Sequence, residues 1–477
     1  MATFYVVVGG QQCLLGRATA MSLGVLVIGL PSTHGVNMID PAQKRPFPKI
    51  KGVQVEIPVD KSVVPVCQHP RRPPIALLSR IEEKLTSLLM SDIIEPVEGG
   101  CQWVSPLVTV VKDNGDIRLC VDMRRANVAI LRERHMMPTI EDFLPRFTGA
   151  KYFSRLDVKE AFHQVELKEE SRHITTFISH MGLFRYKRLM YGIVIAPEIF
   201  QRIMEQILSR CKHTVNFIDD VLVFCSTEEE HDRELKLVLS ILNEHGILLN
   251  QEKCLFKVTS LDFLGHTVSS DGIKPSDNKV EALQRFRTPI TAEEVRSFLG
   301  LVTYVGRFLP NLATITAPLR ELTRSGVKFS WGKDQAESFA KLKEMIGNVQ
   351  QLYFFDNALR TRLIADASPV ALGAVLIQFE GSTDDQPRPI AYASKSLTAT
   401  ERRYCQTEKE ALALVWSVER FAMYLYGRTF ELETDHKPLE AIFQPTSRPC
   451  ARVERCCATP SILLVCGEVP PRNIERR

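Results

Sequence analysis

The sequence predicts a multidomain α+β protein, and three observations carry that reading. The chain has 477 residues, too long for a single hydrophobic core, so about two to four domains are expected. Short runs of β-branched and aromatic residues alternate with longer stretches whose apolar residues recur at helical spacing. A composition change near Tyr353 opens a second strand-rich unit. The apolar fraction of 45% and the charged fraction of 24% are ordinary for globular protein. A net charge of +4 permits a nucleic-acid partner and argues for one only weakly. Twelve cysteines without a Cys-x-x-Cys pair read as reduced thiols of an intracellular chain. Cys450, Cys456, Cys457 and Cys466 crowd together at a spacing that fits no ordinary zinc site. The apolar stretch Ala18–Leu30 is too short and glycine-rich to span a bilayer, and no basic segment marks it as a signal peptide.

Taken in order, residues 1–30 alternate apolar runs with glycines and read as strands. From Pro31 to Pro74 the chain is proline-rich and aperiodic, which reads as linker and surface arm. Ile75–Ser91 reads as an amphipathic helix. Pro106–Val111 and Ile117–Val121 flank the turn signal Asp113-Asn114-Gly115 and read as paired strands. Strands and a short helix follow to Arg188, then a helix over Pro197–Cys211 with Pro197 in its first turn. Glu228–His245 carries Leu235, Val238, Leu239 and Leu242 on one face, with Gly246 as its stop. Leu261–Ile273 reads as a hairpin. Residues 276–345 read as helical, broken by Pro289, Pro310 and Pro318. The second unit reads as strands Arg362–Ile377 and Arg388–Lys395, a helix Thr407–Tyr426 and a strand Thr429–Thr434.

The most informative segment is Val215-Asn216-Phe217-Ile218-Asp219-Asp220-Val221-Leu222-Val223-Phe224. Two apolar runs around a tight centre predict a β-hairpin with two carboxylates at its tip. Alone, the pair is most simply a polar turn, because turns favour Asp. Burying two ionised carboxylates is costly unless a cation pairs with them, and hard divalent ions take carboxylate oxygens. A third acid, Asp157 in the segment Tyr152–Phe162, lies at the end of a predicted strand and before a helix. Such a triad can hold two metal ions about 4 Å apart, which suits nucleotidyl transfer.

A second acid set lies beyond Tyr353. Asp366 ends a strand, Glu410 lies on the long helix, and Asp435 follows the last strand. Acids from two strands and one helix can meet at a metal pair suited to phosphodiester hydrolysis. Glu408 competes with Glu410 for that place, and His436 reads as structural rather than as a ligand.

The chain resembles the pol polyprotein of gypsy-type LTR retrotransposons, kin of retroviral reverse transcriptases. The likeness runs from about Leu88 to Cys450. It rests on Ser105-Pro106-Leu107-Val108, Ile117-Arg118-Leu119-Cys120-Val121-Asp122, the Asp157 strand, Tyr191-Gly192-Ile193 through Ala196-Pro197 to Phe200-Gln201, Phe217-Ile218-Asp219-Asp220, and Phe263-Leu264-Gly265-His266. The resemblance implies a right-hand polymerase of fingers, palm and thumb, followed by an RNase H-like α/β domain. It implies Mg²⁺ (Mn²⁺ as an alternative) on Asp157, Asp219 and Asp220, and again on Asp366, Glu410 and Asp435. Lys112 and Arg118 would contact the incoming triphosphate, which suits a point cation and a planar fork. Phe162 would block a ribose 2′-hydroxyl, although an aromatic there is equally a core residue. Tyr191 and Gly192 would lie against nucleotide and template, and Phe263, Leu264, Gly265 and His266 would grip the primer end. Many relatives carry Phe in place of Tyr191 and Tyr in place of Phe217. The implied partners are an RNA template, a DNA primer, RNA–DNA hybrid and dNTPs, with no membrane.

The implied organisation is a protease-like remnant over 1–30, an arm over 31–86, fingers and palm over 87–270, thumb or connection over 271–350, an RNase H-like domain over 351–450, and an unmatched tail over 451–477. Cys13-Leu14-Leu15-Gly16-Arg17 resembles the end of a retropepsin, yet no Asp-Thr-Gly or Asp-Ser-Gly occurs in the chain. The likeness stops after Arg455, and no convincing counterpart of a fourth RNase H acid follows. Impaired hybrid cleavage is therefore expected. A decayed or domesticated element that binds nucleic acid without catalysis is the competing expectation.

Overall fold

The computed structural model describes residues 46–111, 115–381, 384, 386–436 and 439. The expected protease-like remnant, Lys112 and the tail expected over 451–477 lie outside them. Helices of two turns or more are numbered. The arm carries a short strand, β1 (Gln54–Val55), and the amphipathic helix α1 (Leu78–Met90) follows it. The arm is not a free linker. Ile50, Val55 and Ile57 are buried in the first core, and β1 pairs in parallel with Glu166–Leu167. Isolated apolar residues without periodicity gave no sign of this, because their partners lie far along the chain.

The fingers contain β2 (Ile94–Pro96), β3 (Ser105–Val111) and β4 (Ile117–Val121). Val111 faces Ile117 across the expected turn, and α1 turns Ile81, Leu85 and Leu89 into the same core. The palm opens with β5 (Tyr152–Asp157); β6 (Glu166–Leu167), β7 (Phe177–Ser179) and β8 (Gly182–Tyr186) follow. Strands β2, β8, β7, β3 and β4 form one sheet in that order. Helix α2 (Ala196–Ile207) begins with Pro197 in its first turn and ends before Cys211. Then come the hairpin β9 (Thr214–Phe217) and β10 (Asp220–Cys225), helix α3 (Glu228–Glu244), and β11 (Leu255–Val258). The palm sheet runs β11-β5-β10-β9, antiparallel throughout. Thr227 caps α3 by accepting from the Glu230 amide, and three glutamates in the first turn complement the helix dipole.

The expected single hairpin at 261–273 is a three-stranded meander of β12 (Ser260–Phe263), β13 (His266–Ser269) and β14 (Gly272–Pro275). Helices α4 (Asp277–Gln284), α5 (Ala292–Tyr304) and α6 (Lys333–Gly347) follow. Pro318 does not break a helix; it sits in the first turn of the short helix Ala317–Glu321, where its missing N–H costs nothing. These helices, the meander and the outer palm face share a second core that includes Phe147, Phe153, Phe224, Phe298 and Leu342.

The C-terminal unit has β15 (Arg360–Ala367), β16 (Ala371–Phe379), β17 (Pro387–Ser396), helix α7 (Gln406–Arg420) and β18 (Glu431–Glu433). Its sheet runs β17-β16-β15-β18, with only the β15–β18 pair parallel. The expected strand Arg362–Ile377 is thus a hairpin, and the helix expected to reach Tyr426 breaks at Phe421. Ala411, Ala413, Leu414 and Val418 of α7 are buried in the third core. Backbone hydrogen bonds join Leu352 to Ile273 and Tyr353 to Pro389, stitching the connecting segment to both sides.

Candidate active site

Phe217 faces Asp220 across the two-residue turn Ile218-Asp219, and Asp220 faces Asp157 on the neighbouring strand. All three acids therefore meet at one end of the palm sheet. Ile218 has a φ of 52°, a conformation that a β-branched residue holds only under constraint. The Ile218 amide donates to Oε1 of the fully buried Gln201 at 2.8 Å. Gln201 Nε2 donates to the Asn216 carbonyl at 3.1 Å. The Asp219 carbonyl accepts from the Val158 amide at 2.9 Å. Burial, and then the neighbouring Asp219 charge, pushes the Asp220 carboxyl up to about 6. Burial raises Asp219 as well. The Lys253 ammonium lies 3.6 Å from Asp157 Oδ2 and is itself largely exposed.

Beside these acids lies an aromatic platform. The Arg118 guanidinium sits 5.0 Å above the Tyr191 ring. Tyr191 leans on Phe162 at 4.8 Å between ring centroids, and Phe162 meets Phe200 at 5.9 Å. Phe162 is 8% exposed, so it is a core residue that also presents an edge to the platform. Burial, with the Asp219 charge second, pushes the Tyr191 phenol up to about 12. Gly192 has a φ of 98°, which favours glycine. Asn127 holds this loop by donating to the Gly192 carbonyl at 2.8 Å and accepting from the Val194 amide at 3.1 Å.

The segment Phe263–His266 is the tight turn between β12 and β13, with Leu264 and Gly265 at φ of 49° and 70°. Phe263 and His266 are buried, at 1% and 3% exposure. Tyr304 Oη donates to the Leu264 carbonyl, and its ring stacks on His266 at 5.2 Å. Arg155, two residues before Asp157, donates to the Asp262 carbonyl at 2.8 Å and ties the turn to the palm.

The second acid set converges. One carboxylate oxygen each from Asp366, Glu410 and Asp435 lies within 4.8 Å of the others. Glu410 is 3% exposed, and its Oε2 is buried without a hydrogen-bond partner. Burial, with Asp366 and Asp435 adding repulsion, pushes its carboxyl up to about 7. Three convergent acids, one with an orphaned buried oxygen, fit a divalent ion. Glu408 is used elsewhere: it accepts from the Cys405 amide at 3.0 Å and caps α7. His436 Nε2 hydrogen-bonds Thr407 Oγ1 at 2.9 Å, a structural contact.

Residues 110–268 match the family described as reverse transcriptase (RNA-dependent DNA polymerase), and residues 356–459 match the RNase H-like domain found in reverse transcriptase. The chain is 33% identical over 399 residues to the retrovirus-related Pol polyprotein from transposon 412 of Drosophila melanogaster, covering 82% of this chain and 32% of that protein. It is 30% identical over 413 residues to the transposon Tf2-3 polyprotein of Schizosaccharomyces pombe, covering 85% of this chain and 30% of that protein. The chain belongs to the LTR-retrotransposon Pol family.

This Pol chain spans about a third of the length of these relatives. Its fold is also that of the foamy viral protease-reverse transcriptase. The structure of that protein with dsDNA matches at a TM-score of 0.71 and 22% identity, over 87% of this chain and 85% of that one. The structure with RNA/DNA hybrid matches at 0.67 and 21%, over 88% and 56%. Two side chains of the site were given no role by the sequence reading: Asn127, and Gln201, which was quoted only as the end of the Ala196–Gln201 motif. The available signal for Gln201 was a lone amide among Ile199, Phe200, Ile203 and Met204 on a helix built for burial. Asn127 carried no local signal.

Proposed function

We propose that this chain is an RNA-directed DNA polymerase that adds dNMP to a primer 3′-end and releases pyrophosphate. The observation that carries this is the strand register that puts Asp220 opposite Asp157, with Asp219 at the adjoining tip. Asp157, Asp219 and Asp220 would hold Mg²⁺ or Mn²⁺, which when bound supplies charge neutralisation for the attacking hydroxyl and the leaving pyrophosphate. Arg118 binds phosphate oxygens with its planar fork, and Tyr191 below it sets where that fork points. Lys112 adds a second cation. Phe162 and Tyr191 together shape the space for the sugar, and Gly192 lets the backbone approach the base pair. The Phe263–His266 turn positions the primer end, and Arg155 couples that turn to the Asp157 strand. Template and primer are held mainly through phosphates, so binding falls steeply with salt.

Asp366, Glu410 and Asp435 support a second reaction class, metal-assisted hydrolysis of RNA in an RNA–DNA hybrid. Mg²⁺-dependent cleavage of a labelled RNA–DNA hybrid by the purified chain, lost in Glu410→Gln, would support it, and no cleavage by either would count against it. The polymerase reading is tested by primer extension on poly(rA) with oligo(dT), comparing wild type with Asp219→Asn. Incorporation only by the wild type supports it. Incorporation no higher than the variant's leaves a chain that binds nucleic acid without catalysis.

A further inference from the structure

A hydrogen-bonded chain runs from the catalytic turn to the surface. Gln201 Oε1 accepts from the Ile218 amide at 2.8 Å, and Gln201 Nε2 donates to the Asn216 carbonyl at 3.1 Å and to Glu205 Oε1 at 2.8 Å. The other Glu205 oxygen, Oε2, lies 2.9 Å from His135 Nε2. The helical spacing of Gln201 and Glu205 puts both on one stripe of α2, where Glu198 and Arg202 also meet the His135 loop through Arg132 and Glu133.

We propose that Gln201 and Glu205 form a positioning latch that holds Asp219 and Asp220 in their working geometry. This rests on the polymerase function proposed above. A glutamine amide has an acceptor end and a donor end of nearly the same shape, and only its partners decide which faces where. An ionised carboxylate only accepts, so Glu205 draws the Nε2 end toward itself. Oε1 is then left facing the Ile218 amide. That amide belongs to the residue whose left-handed backbone turns the chain from Phe217 into the two acids. A reversed amide would place two donors face to face at the tip, and the strained turn would open. Glu205 thus acts through Gln201, and neither residue touches the reacting atoms.

The test uses the full chain with Gln201→Leu, Glu205→Leu and Glu205→Gln. Two quantities are read: hydrogen exchange of the Ile218 amide without substrate, and single-nucleotide kcat and KM. Gln201→Leu should speed exchange at Ile218 by at least about tenfold and lower kcat by about 10- to 100-fold, with KM for dNTP within about twofold. Glu205→Leu should move both readouts in the same direction by a smaller factor. Glu205→Gln keeps an acceptor oxygen and should regain most of the lost rate. If Gln201→Leu fails to fold, the half-exposed Glu205 carries the comparison. Wild-type exchange at Ile218 in Gln201→Leu or, failing that, in Glu205→Leu overturns the latch, whatever happens to kcat. Equal loss in Glu205→Leu and Glu205→Gln overturns the orienting role of the acceptor. A wild type that extends no primer defeats the polymerase reading, while the exchange rates still decide the latch.

Discussion

Asp157 and Asp220 are direct cross-strand neighbours in an antiparallel pair. Like charges placed so are destabilising; burial first, then the Asp219 charge and to a lesser degree Asp157, push the Asp220 carboxyl up to about 6. This arrangement stores repulsion that a divalent cation held there would relieve.

Asp220→Asn and Asp157→Asn should each lower primer extension by about a thousandfold or more. Each should also raise metal-free stability by roughly 0.5 kcal/mol at pH 8, because one of two opposed charges is gone. Thermal melting in EDTA checks the second outcome; a lower melting temperature for both variants contradicts it. The pH dependence has a definite sign. A raised carboxyl pKa means the folded state binds more protons than the unfolded state between about pH 4 and 6. Metal-free stability from this group therefore rises as pH falls through that window. Mg²⁺ affinity falls over the same range, because protons compete for the ligand. Titration of Mg²⁺ dependence at pH 7 and pH 5 measures it.

Arg118 lies over the Tyr191 ring, which would aim its fork. Arg118→Lys keeps the charge and loses the planar fork and the stacking, and KM for dNTP should rise about tenfold. Tyr191→Phe keeps the ring beneath the guanidinium and should change kcat/KM by less than about twofold. Steady-state kinetics on a homopolymer template separate the two; equal effects would refute the ring's role.

Asp122 accepts from Arg124 and from Arg71, both at 2.7 Å, and Arg124 chiefly holds its carboxyl down to about 2. A depressed carboxyl stabilises the folded state above its unfolded pKa of about 4, and that contribution is lost as pH falls toward 2. Asp122→Asn should cost about 1–2 kcal/mol at pH 7 and much less near pH 2. Urea unfolding of both chains at pH 7 and at the lowest pH where they remain folded gives the difference, and a pH-independent gap argues against it.

Glu410 carries an orphaned oxygen among two other acids. Glu410→Gln should abolish whatever hybrid cleavage the chain has, and it should raise metal-free stability by about 1 kcal/mol at pH 8. Residual cleavage should fall as pH drops below about 7, where Glu410 takes up a proton. Gel assays of a labelled hybrid from pH 6 to pH 9 report this; a flat profile is the contrary result.

Gly265 sits at a φ of 70°, and a Cβ there would collide with the Tyr304 hydroxyl. Gly265→Ala should cost about 1–3 kcal/mol and loosen the primer turn. The expected signature is a lower melting temperature and shorter extension products per binding event. Full processivity at normal stability would contradict it.

The sequence by itself determined most of the succession of strands and helices, the paired acids between two apolar runs, and the acid-bearing ends of the other strands. These are local properties, because periodicity and turn chemistry act over a few residues. The tertiary structure decided what depends on distant partners. Strand register put Asp220 opposite Asp157, and it could not be read from either strand alone. Burial made Phe162 both core and platform. Helix capping took Glu408 and left Glu410 for the acid cluster, although the two stand on the same turn. Gln201 and Asn127 found backbone partners on other elements, and the aperiodic residues after Phe47 found a core. A buried polar group takes its role from the partner that satisfies it, and that partner is set by the fold.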